Sequence, residues 1–194
     1  MESDGLHLDT ERLIVRRYEE RDVPDILSYS HHDPSDEYRT RNVDWNLDVQ
    51  SVREWWKPMR TMRPEEAIHW LSLVIELKDE ARVIGNVGFN ARHIGDALQG
   101  QIGWIVGSAY EGYGYVTEAA AALLDYLFEE IGFHRTIAMT SPGNRRSWHV
   151  MERLGMRREA HFIENCYHDG EWTDEFVYAI LRKEWAERRD GRSA

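Results

Sequence analysis

The stretch of residues 101–131 most restricts the folds open to this chain, because it predicts a strand, a glycine loop and a helix in immediate succession. Residues 101–106 are mostly apolar and rich in β-branched and aromatic side chains, as in a buried strand. Gly112 and Gly114 allow a tight turn and leave the backbone N–H groups uncovered by side chains. The apolar positions that follow recur at helical spacing on one face: Ala120, Leu123, Leu124, Leu127, Phe128 and Ile131. The glycine loop therefore lies at the N-terminus of a predicted helix.

A glycine loop at a helix N-terminus predicts an anion site, because unpaired backbone N–H groups and the positive end of the helix dipole converge there. The expected ligand is a phosphate or a pyrophosphate. Glu111 at the loop entrance is acidic, so the backbone must hold the anion. The alternative is an ordinary glycine turn whose helix is capped by the hydroxyl of Thr117. A Walker loop is excluded because no G-x-x-x-x-G-K-S/T run occurs, and a dinucleotide fingerprint needs a third glycine where Thr117 stands.

The loop resembles the acetyl-CoA pyrophosphate loop of the GNAT N-acetyltransferases. The general family pattern, Q/R-x-x-G-x-G/A, falls on residues 111–116, where Gly114 matches, Glu111 replaces Gln/Arg and Val116 replaces Gly/Ala. The RimJ/RimL-like subgroup, which acetylates ribosomal-protein N-termini, has a closer form with an aromatic residue before G-x-G-Y-A-T-E-A. The residues that match this form are Gly112, Gly114, Tyr115, Thr117, Glu118 and Ala119. The resemblance implies acetyl-CoA as cosubstrate, bound by Glu111, Gly112, Tyr113, Gly114, Tyr115, Val116 and Thr117.

Length and composition set further limits. The 194 residues suffice for one domain, which is expected to span residues 8–182, with frayed ends at 1–7 and 183–194. A net charge of −11 argues against a nucleic-acid-binding surface and fits either a cationic amine acceptor or a merely soluble surface. Cys166 is the single cysteine, which excludes an internal disulfide and fits a reducing compartment. No secretory signal or membrane span is expected, so a cytoplasmic protein is predicted.

The remaining pattern predicts further strands and helices in alternation. Strands are predicted within residues 8–18, 69–78, 82–93, 135–140, 159–167 and 172–181, with a turn at 95–100. Helices are predicted after Asp22 as N-cap, over residues 51–62 with a bend or end at Pro58, and over residues 144–154 with Gly155 as the C-terminal cap. Residues 31–46 are predicted to form a polar loop. This order predicts an α+β fold and resembles the GNAT acyl-CoA N-acyltransferase fold, a mixed, mostly antiparallel sheet with flanking helices.

Acetyl transfer from a thioester to an amine requires a neutral amine, a stabilised oxyanion and a protonated leaving thiolate. The resemblance places Trp104, Ile105 and Val106 against the cofactor, with a backbone N–H around Ile105 or Val106 stabilising the oxyanion. Asn144 and Ser147 match the family's N-x-x-S pattern. The resemblance gives Asn144 a contact near the cofactor amides and makes Ser147 the candidate acid at the sulfur. The alternative, compatible with both roles, is a helix cap and an ordinary first-turn serine.

The sequence leaves the general base open. Many relatives carry a glutamate on the central strand, where this chain has Gln99 and Gln101, and glutamine cannot act as a base at neutral pH. Glu164 on the penultimate strand is the first candidate; otherwise the deprotonated fraction of the amine itself suffices. No metal is expected, because the His31-His32-Asp33 run has no second cluster of ligands at suitable spacing.

Together these features predict an acetyl-CoA-dependent N-acetyltransferase that works by direct attack of a primary amine, with a peptide or protein N-terminus as acceptor. A small amine, such as an antibiotic or a polyamine, is the alternative acceptor. A CoA-binding sensor without turnover is the alternative class, favoured by Gln101 and Val116. The resemblance also implies a homodimer, and neither nucleic acid nor membrane is an expected partner. Four aromatic residues are expected either in the core or in the acceptor pocket: Tyr38, Trp45, Trp55 and Trp56.

Overall fold

The computed structural model describes residues 6–30, 48–168 and 170–191. Within these ranges eight strands form one sheet in the order β1-β2-β3-β4-β5-β6-β8-β7. The strands are β1 (His7–Asp9), β2 (Leu13–Arg16), β3 (Leu71–Leu77), β4 (Arg82–Ile94), β5 (Ala97–Val106), β6 (Phe133–Thr140), β7 (Arg157–His168) and β8 (Glu171–Leu181). The helices are α1 (Val23–Ser30), α2 (Val49–Trp56), α3 (Tyr115–Asp125), α4 (Arg145–Arg153) and α5 (Arg182–Asp190).

The sheet is mixed but mostly antiparallel. In the described part of the chain, β5 and β6 form the single parallel pair, and every other neighbouring pair is antiparallel. A parallel pair needs a crossover, and here the glycine loop and α3 supply it. The predicted α+β fold with a mixed, mostly antiparallel sheet is therefore confirmed.

The core lies between the sheet and the helix that follows the glycine loop. Every residue of β3 is buried, including the polar Ser72 and Glu76. The helix α3 buries the apolar face predicted from the sequence, including Leu123 and Leu124, which are fully buried. Burial of one such side chain stabilises the fold by about 1.5–3 kcal/mol. The predicted face continues past α3 through a π-helical turn, Tyr126–Glu130, in which Leu127 and Phe128 are also buried.

Two predicted boundaries change in the structure. The strand expected at residues 101–106 begins earlier, at Ala97, because Gly95 and Asp96 form a two-residue turn that pairs Ile94 with Ala97. Gly95 has a positive φ of 57°, which such a turn needs at its first central residue. Asp22 is not the N-cap of α1. It belongs to a short 3-10 turn before that helix, where its carboxylate accepts a hydrogen bond from the Glu19 N–H at 2.7 Å.

The prediction that residues 183–194 fray is wrong for the residues that the structure describes. They form most of α5, whose first turn is capped by Glu184, the side chain of which accepts a hydrogen bond from the Leu181 N–H at 2.8 Å. Trp185 is 2% exposed, and its Nε1 donates to Asp125 Oδ1 at 2.8 Å. Trp185 is the one buried residue of α5, and a single buried residue creates no apolar periodicity that the sequence could show.

The four aromatic residues expected in the core or in the acceptor pocket differ in their positions. Trp56 is fully buried and stacks on Tyr18 with ring centroids 5.5 Å apart, so it belongs to the core. Trp55 is partly exposed on α2. Tyr38 and Trp45 lie outside the described residues, as do the predicted loop at 31–46 and the run His31 to Asp33.

Candidate active site

The two parallel strands separate beside the glycine loop. β5 pairs with β6 from Leu98 to Gln101, and the described ladder ends at the pair Gln101–Ile137. Beyond that point residues 102–106 stay paired with β4, and residues 138–140 stay paired with β8. We call the gap between these two segments the wedge. Its two sides are strand edges that face each other, so an extended ligand can bind between them by backbone hydrogen bonds.

The direction of the backbone amides along β5 follows from its pairing with β4. In an antiparallel ladder, residues alternate between those whose N–H and C=O face the partner and those that face away. The Gly107 N–H donates to Ile84 O at 2.8 Å, so Ile105 also faces β4, whereas Trp104 and Val106 face the wedge. The sequence offered the amides of Ile105 and Val106 for the oxyanion, and only that of Val106 points into the wedge. The amide of Trp104 points in the same direction.

The glycine loop has the backbone geometry of an open anion site. Gly112 and Gly114 have φ values of 82° and 83°, in the left-handed region where glycine is favoured. A Cβ at Gly112 would meet no atom within 4 Å, so this side of the loop is open space. Gly114 is the N-cap of α3 and has no side chain that could accept a hydrogen bond. The N–H groups of the first turn therefore point toward the loop without a side-chain partner.

The side chain of Thr117 does not cap α3, so this part of the ordinary-turn alternative is wrong. The Oγ1 atom of Thr117 is buried and makes no hydrogen bond in the described structure. At the other side of the wedge, Thr140 at the end of β6 likewise has a buried Oγ1 without a partner. Burying a hydroxyl without a hydrogen bond costs about 1–3 kcal/mol. The open glycine loop and the first-turn amides without a side-chain cap fit an anionic ligand beside the wedge.

The acidic residue at the loop entrance is neutralised by a residue of the second motif. Glu111 forms an ion pair with Arg146 in the first turn of α4, with an Oε2–Nη1 distance of 2.6 Å. Arg146 thereby connects the loop before α3 to the first turn of α4. The structure thus brings the two sequence motifs together, and the charge of Glu111 no longer opposes an anion at the loop.

Asn144 and Ser147 lie where α4 begins. Asn144 is the N-cap, and its Oδ1 accepts a hydrogen bond from the Ser147 N–H at 3.0 Å. The capping role that the sequence offered as an alternative is therefore present. It uses only the carbonyl oxygen of the side chain and leaves the NH2 group of Asn144 able to donate to a ligand. Gly155 ends the helix with a φ of 82°, as predicted.

Glu164 lies on the edge strand β7, away from the contacts described above. It is exposed, has a φ of 49° and lies in an irregularity of the ladder between β7 and β8. Its N–H donates to Asp174 Oδ1 at 3.0 Å, and Asp174 also contacts His161 Nε2 at 2.6 Å. These two contacts lower the pKa of Asp174. β8 separates β7 from β6, so no described contact brings the Glu164 carboxylate to the wedge, and its catalytic role stays a prediction.

The sheet face opposite α3 carries an aromatic residue that sequence reasoning missed. Trp70 lies against two glycines that are directly opposite each other, Gly88 on β4 and Gly103 on β5. A Cβ at Gly103 would lie 3.2 Å from two carbon atoms of the indole ring, and one at Gly88 would lie 2.5 Å from its Nε1. The glycines therefore make room for the ring near the start of the wedge. The signal available in the sequence was these two glycines inside predicted strands.

Throughout residues 6–30, 48–168 and 170–191, each helix is too short or too polar to cross a bilayer. Over the same residues, no three His, Cys, Asp or Glu side chains gather as a metal site. Cys166 is a free, partly buried cysteine on β7, and burial raises the pKa of its thiol.

Comparison with known proteins agrees with this geometry. Residues 12–157 match the family model described as an acetyltransferase (GNAT) domain. The chain is 33% identical over 181 residues to the uncharacterized N-acetyltransferase YnaD of Bacillus subtilis, covering 93% of this chain and 99% of that one. It is 25% identical over 193 residues to the [ribosomal protein uS5]-alanine N-acetyltransferase of Escherichia coli, covering 95% of each.

A solved structure shows the same fold. The GNAT-family acetyltransferase from Bacillus anthracis superposes with a TM-score of 0.77 and 30% sequence identity, covering 92% of this chain and 99% of that one. The family model spans both sequence motifs and the wedge. The resemblance and the fold predicted from the sequence are therefore confirmed, and the chain belongs to the GNAT family of acetyltransferases.

Proposed function

We propose that this acetyltransferase transfers the acetyl group of acetyl-CoA to the amine at a protein or peptide N-terminus by direct attack on the thioester. The observation that carries the transfer is the wedge between β5 and β6, which opens beside an uncapped helix N-terminus with two left-handed glycines. The choice of acceptor is supported by the similarity to the uS5-alanine N-acetyltransferase along 95% of both chains.

The residues present fit acetyl-CoA. The N–H groups of the loop and of the first turn of α3 would hold its pyrophosphate, which suits an anion site made by the backbone. Trp104 faces the wedge and would bond the extended arm as a neighbouring strand does. When bound, acetyl-CoA supplies the activated acetyl group and a thiolate leaving group.

The remaining steps fall to the backbone of β5 and to α4. The wedge-facing amide of Val106 stabilises the negative charge that develops on the carbonyl oxygen. As the N–C bond forms and the C–S bond breaks, the hydroxyl of Ser147 donates a proton to the leaving sulfur, and the proton that the amine nitrogen loses passes through water to restore that hydroxyl. Asn144 fixes the first turn from which the hydroxyl projects. The acceptor amine approaches over the face that carries Trp70 and Gly103. The cytoplasmic location and the homodimer expected from the sequence remain predictions.

The acceptor is tested by following release of free thiol from acetyl-CoA. The panel contains basic peptides with free N-termini, the same peptides with acetylated N-termini, aminoglycosides and polyamines. Release with the free peptides and none with the blocked ones supports the proposal. Equal release with blocked peptides would assign a lysine acceptor, and release with small amines alone would assign the alternative substrate. Binding of CoA without release from any acceptor would favour a sensor.

Ser147→Ala is expected to lower kcat by about a hundredfold while changing the affinity for CoA by less than about threefold, because an acid acts on the leaving group and not on binding. The Ser147 N–H bond to Asn144 involves the backbone and survives the change. Steady-state kinetics and calorimetry on the same preparation measure both quantities. Ser108→Ala, in the exposed 3-10 turn before the loop, is the control. An unchanged kcat would show that water or the thiolate itself replaces the acid.

Glu164→Gln tests the remaining candidate for the base. If Glu164 accepts the amine proton, the variant loses most of its rate, and the decline of kcat/KM toward acid pH flattens. The measurement is a profile of kcat/KM between pH 5 and 9. The stability of acetyl-CoA is checked at each pH of the profile. Glu187→Gln, exposed on α5, is the matched control. A profile identical to that of the control would remove Glu164 from the mechanism and leave the free amine as its own source of deprotonated substrate.

A further inference from the structure

Arg12 joins the N-terminal segment to the glycine loop and to α3. Its Nε donates to Glu118 Oε2 at 2.7 Å, and its backbone N–H donates to Glu118 Oε1 at 2.9 Å. The hydroxyl of Thr10 donates to the same Oε1 at 2.6 Å. The carboxylate is therefore bound on both oxygens by a turn more than 100 residues earlier in the chain. Burial raises the pKa of Glu118, but these hydrogen bonds outweigh it, so the pKa lies below its ordinary value.

The far end of the Arg12 side chain reaches the loop itself. Its Nη1 donates to the carbonyl oxygen of Tyr113 at 3.0 Å, and its guanidinium lies over the ring of Tyr115, 4.6 Å from the centroid. Tyr113 stands between the two left-handed glycines, Gly112 and Gly114, where the backbone is least restricted by side chains. A bond to its carbonyl oxygen therefore fixes the part of the loop that would otherwise have the most freedom.

The direction of one N–H group follows from this bond. In a trans peptide unit the C=O and the following N–H point in opposite directions. Because Arg12 binds the carbonyl oxygen of Tyr113, the N–H of Gly114 points away from Arg12, to the other side of the loop. Gly114 is also the N-cap of α3, so its N–H is oriented next to the first-turn amides of the helix. We propose that Arg12 and Glu118 form a latch that positions the Gly114 N–H for the pyrophosphate of acetyl-CoA.

This inference rests on the proposed binding of acetyl-CoA at the loop, and it makes Arg12 a positioning residue. Arg12 could instead affect CoA binding by contacting the phosphate directly. The two explanations predict opposite effects of the variant Glu118→Gln. If Arg12 were the phosphate ligand, removing the negative charge of Glu118 would free the guanidinium and tighten binding. If Arg12 acts through the latch, the same change loosens the loop and weakens binding.

The test measures CoA binding to the full chain by calorimetry. We expect Glu118→Gln and Arg12→Ala each to weaken binding about tenfold, and the double variant to weaken it no further, because both residues act through one structure. Arg12→Lys is also expected to bind weakly, because a lysine cannot bond Glu118 and Tyr113 with one planar group. Arg53→Ala is the control that keeps wild-type affinity, because it removes a surface ion pair with Glu20 at 2.6 Å, the same length as the Arg12 Nη2–Glu118 Oε2 pair.

The outcomes separate the latch from the proposed function. Tighter binding by Glu118→Gln, or a hundredfold loss in the double variant, would overturn the latch while wild-type binding still supports the function. Wild-type affinity in both Glu118→Gln and Arg12→Ala would also overturn the latch and leave the proposed function standing. Absence of CoA binding by the wild-type protein would overturn the function and the latch together. Thermal unfolding of each variant identifies any global loss of structure, and Glu118→Gln preserves the side-chain volume if Arg12→Ala does not fold.

Discussion

Gly114→Asp is expected to weaken CoA binding by at least about a hundredfold, which is about 2.7 kcal/mol. The N–H groups at the start of α3 are the proposed ligands of the pyrophosphate, and the new carboxylate would stand among them with the same sign of charge as the ligand. The added Cβ also lies 3.6 Å from Arg12 Nη2, so the carboxylate can draw that guanidinium away from Glu118. Calorimetry with CoA measures the effect.

A matched control exists in the same chain. Gly132 has the same φ of 83°, and a Cβ there would meet no atom within 4 Å, as at Gly112. Gly132→Asp therefore has the same backbone cost, about 1 kcal/mol, but adds its charge far from the loop. We expect it to keep wild-type affinity, whereas Gly112→Asp should behave as Gly114→Asp does. Equal binding by the Gly114 and Gly132 variants would remove the loop from the site.

The parts of the site that depend on neighbouring residues were predictable from the sequence. Asn144 caps α4 and Gly155 ends it, because both effects act within one turn. The glycine loop and the helix after it have the predicted order for the same reason. The wedge is different. It depends on where β5 stops pairing with β6, and a backbone ladder leaves no residue-type signal at its last pair.

Contacts between distant residues were not predictable. Arg12 and Arg16 flank the apolar run of β2, and the local sequence shows them only as charged flanks of a strand. Each instead binds a carboxylate far along the chain, Arg12 that of Glu118 and Arg16 that of Glu76. Such pairs have no spacing rule, because the fold and not the local chain brings them together. The contact between His161 and Asp174 was not predictable for a related reason. The ladder between β7 and β8 is irregular, so its register differs from the one that the turn joining the two strands implies.

Arg16 is the centre of a buried ion network beneath the sheet. Its Nη1 and Nη2 each lie 2.8 Å from an oxygen of Asp22, and its Nε donates to Glu76 at 2.9 Å. Burial lowers the pKa of Arg16, but the bonds to Asp22 and Glu76 outweigh it, so the pKa rises and the guanidinium stays charged. Asp22 is 2% exposed and also binds the Glu19 N–H. Asp22 therefore connects the Arg16 guanidinium to the backbone at Glu19.

Asp22→Ala is accordingly expected to lower the free energy of unfolding by about 3–5 kcal/mol, because it leaves a buried guanidinium without its bidentate partner. Denaturation in urea measures this as a lower midpoint. The control is Arg53→Ala, which breaks an ion pair of comparable length between side chains that are 50% and 57% exposed, and should cost less than about 1 kcal/mol. If both variants unfolded at the same midpoint, Glu76 alone would suffice to hold Arg16, and Asp22 would be no more than a turn residue.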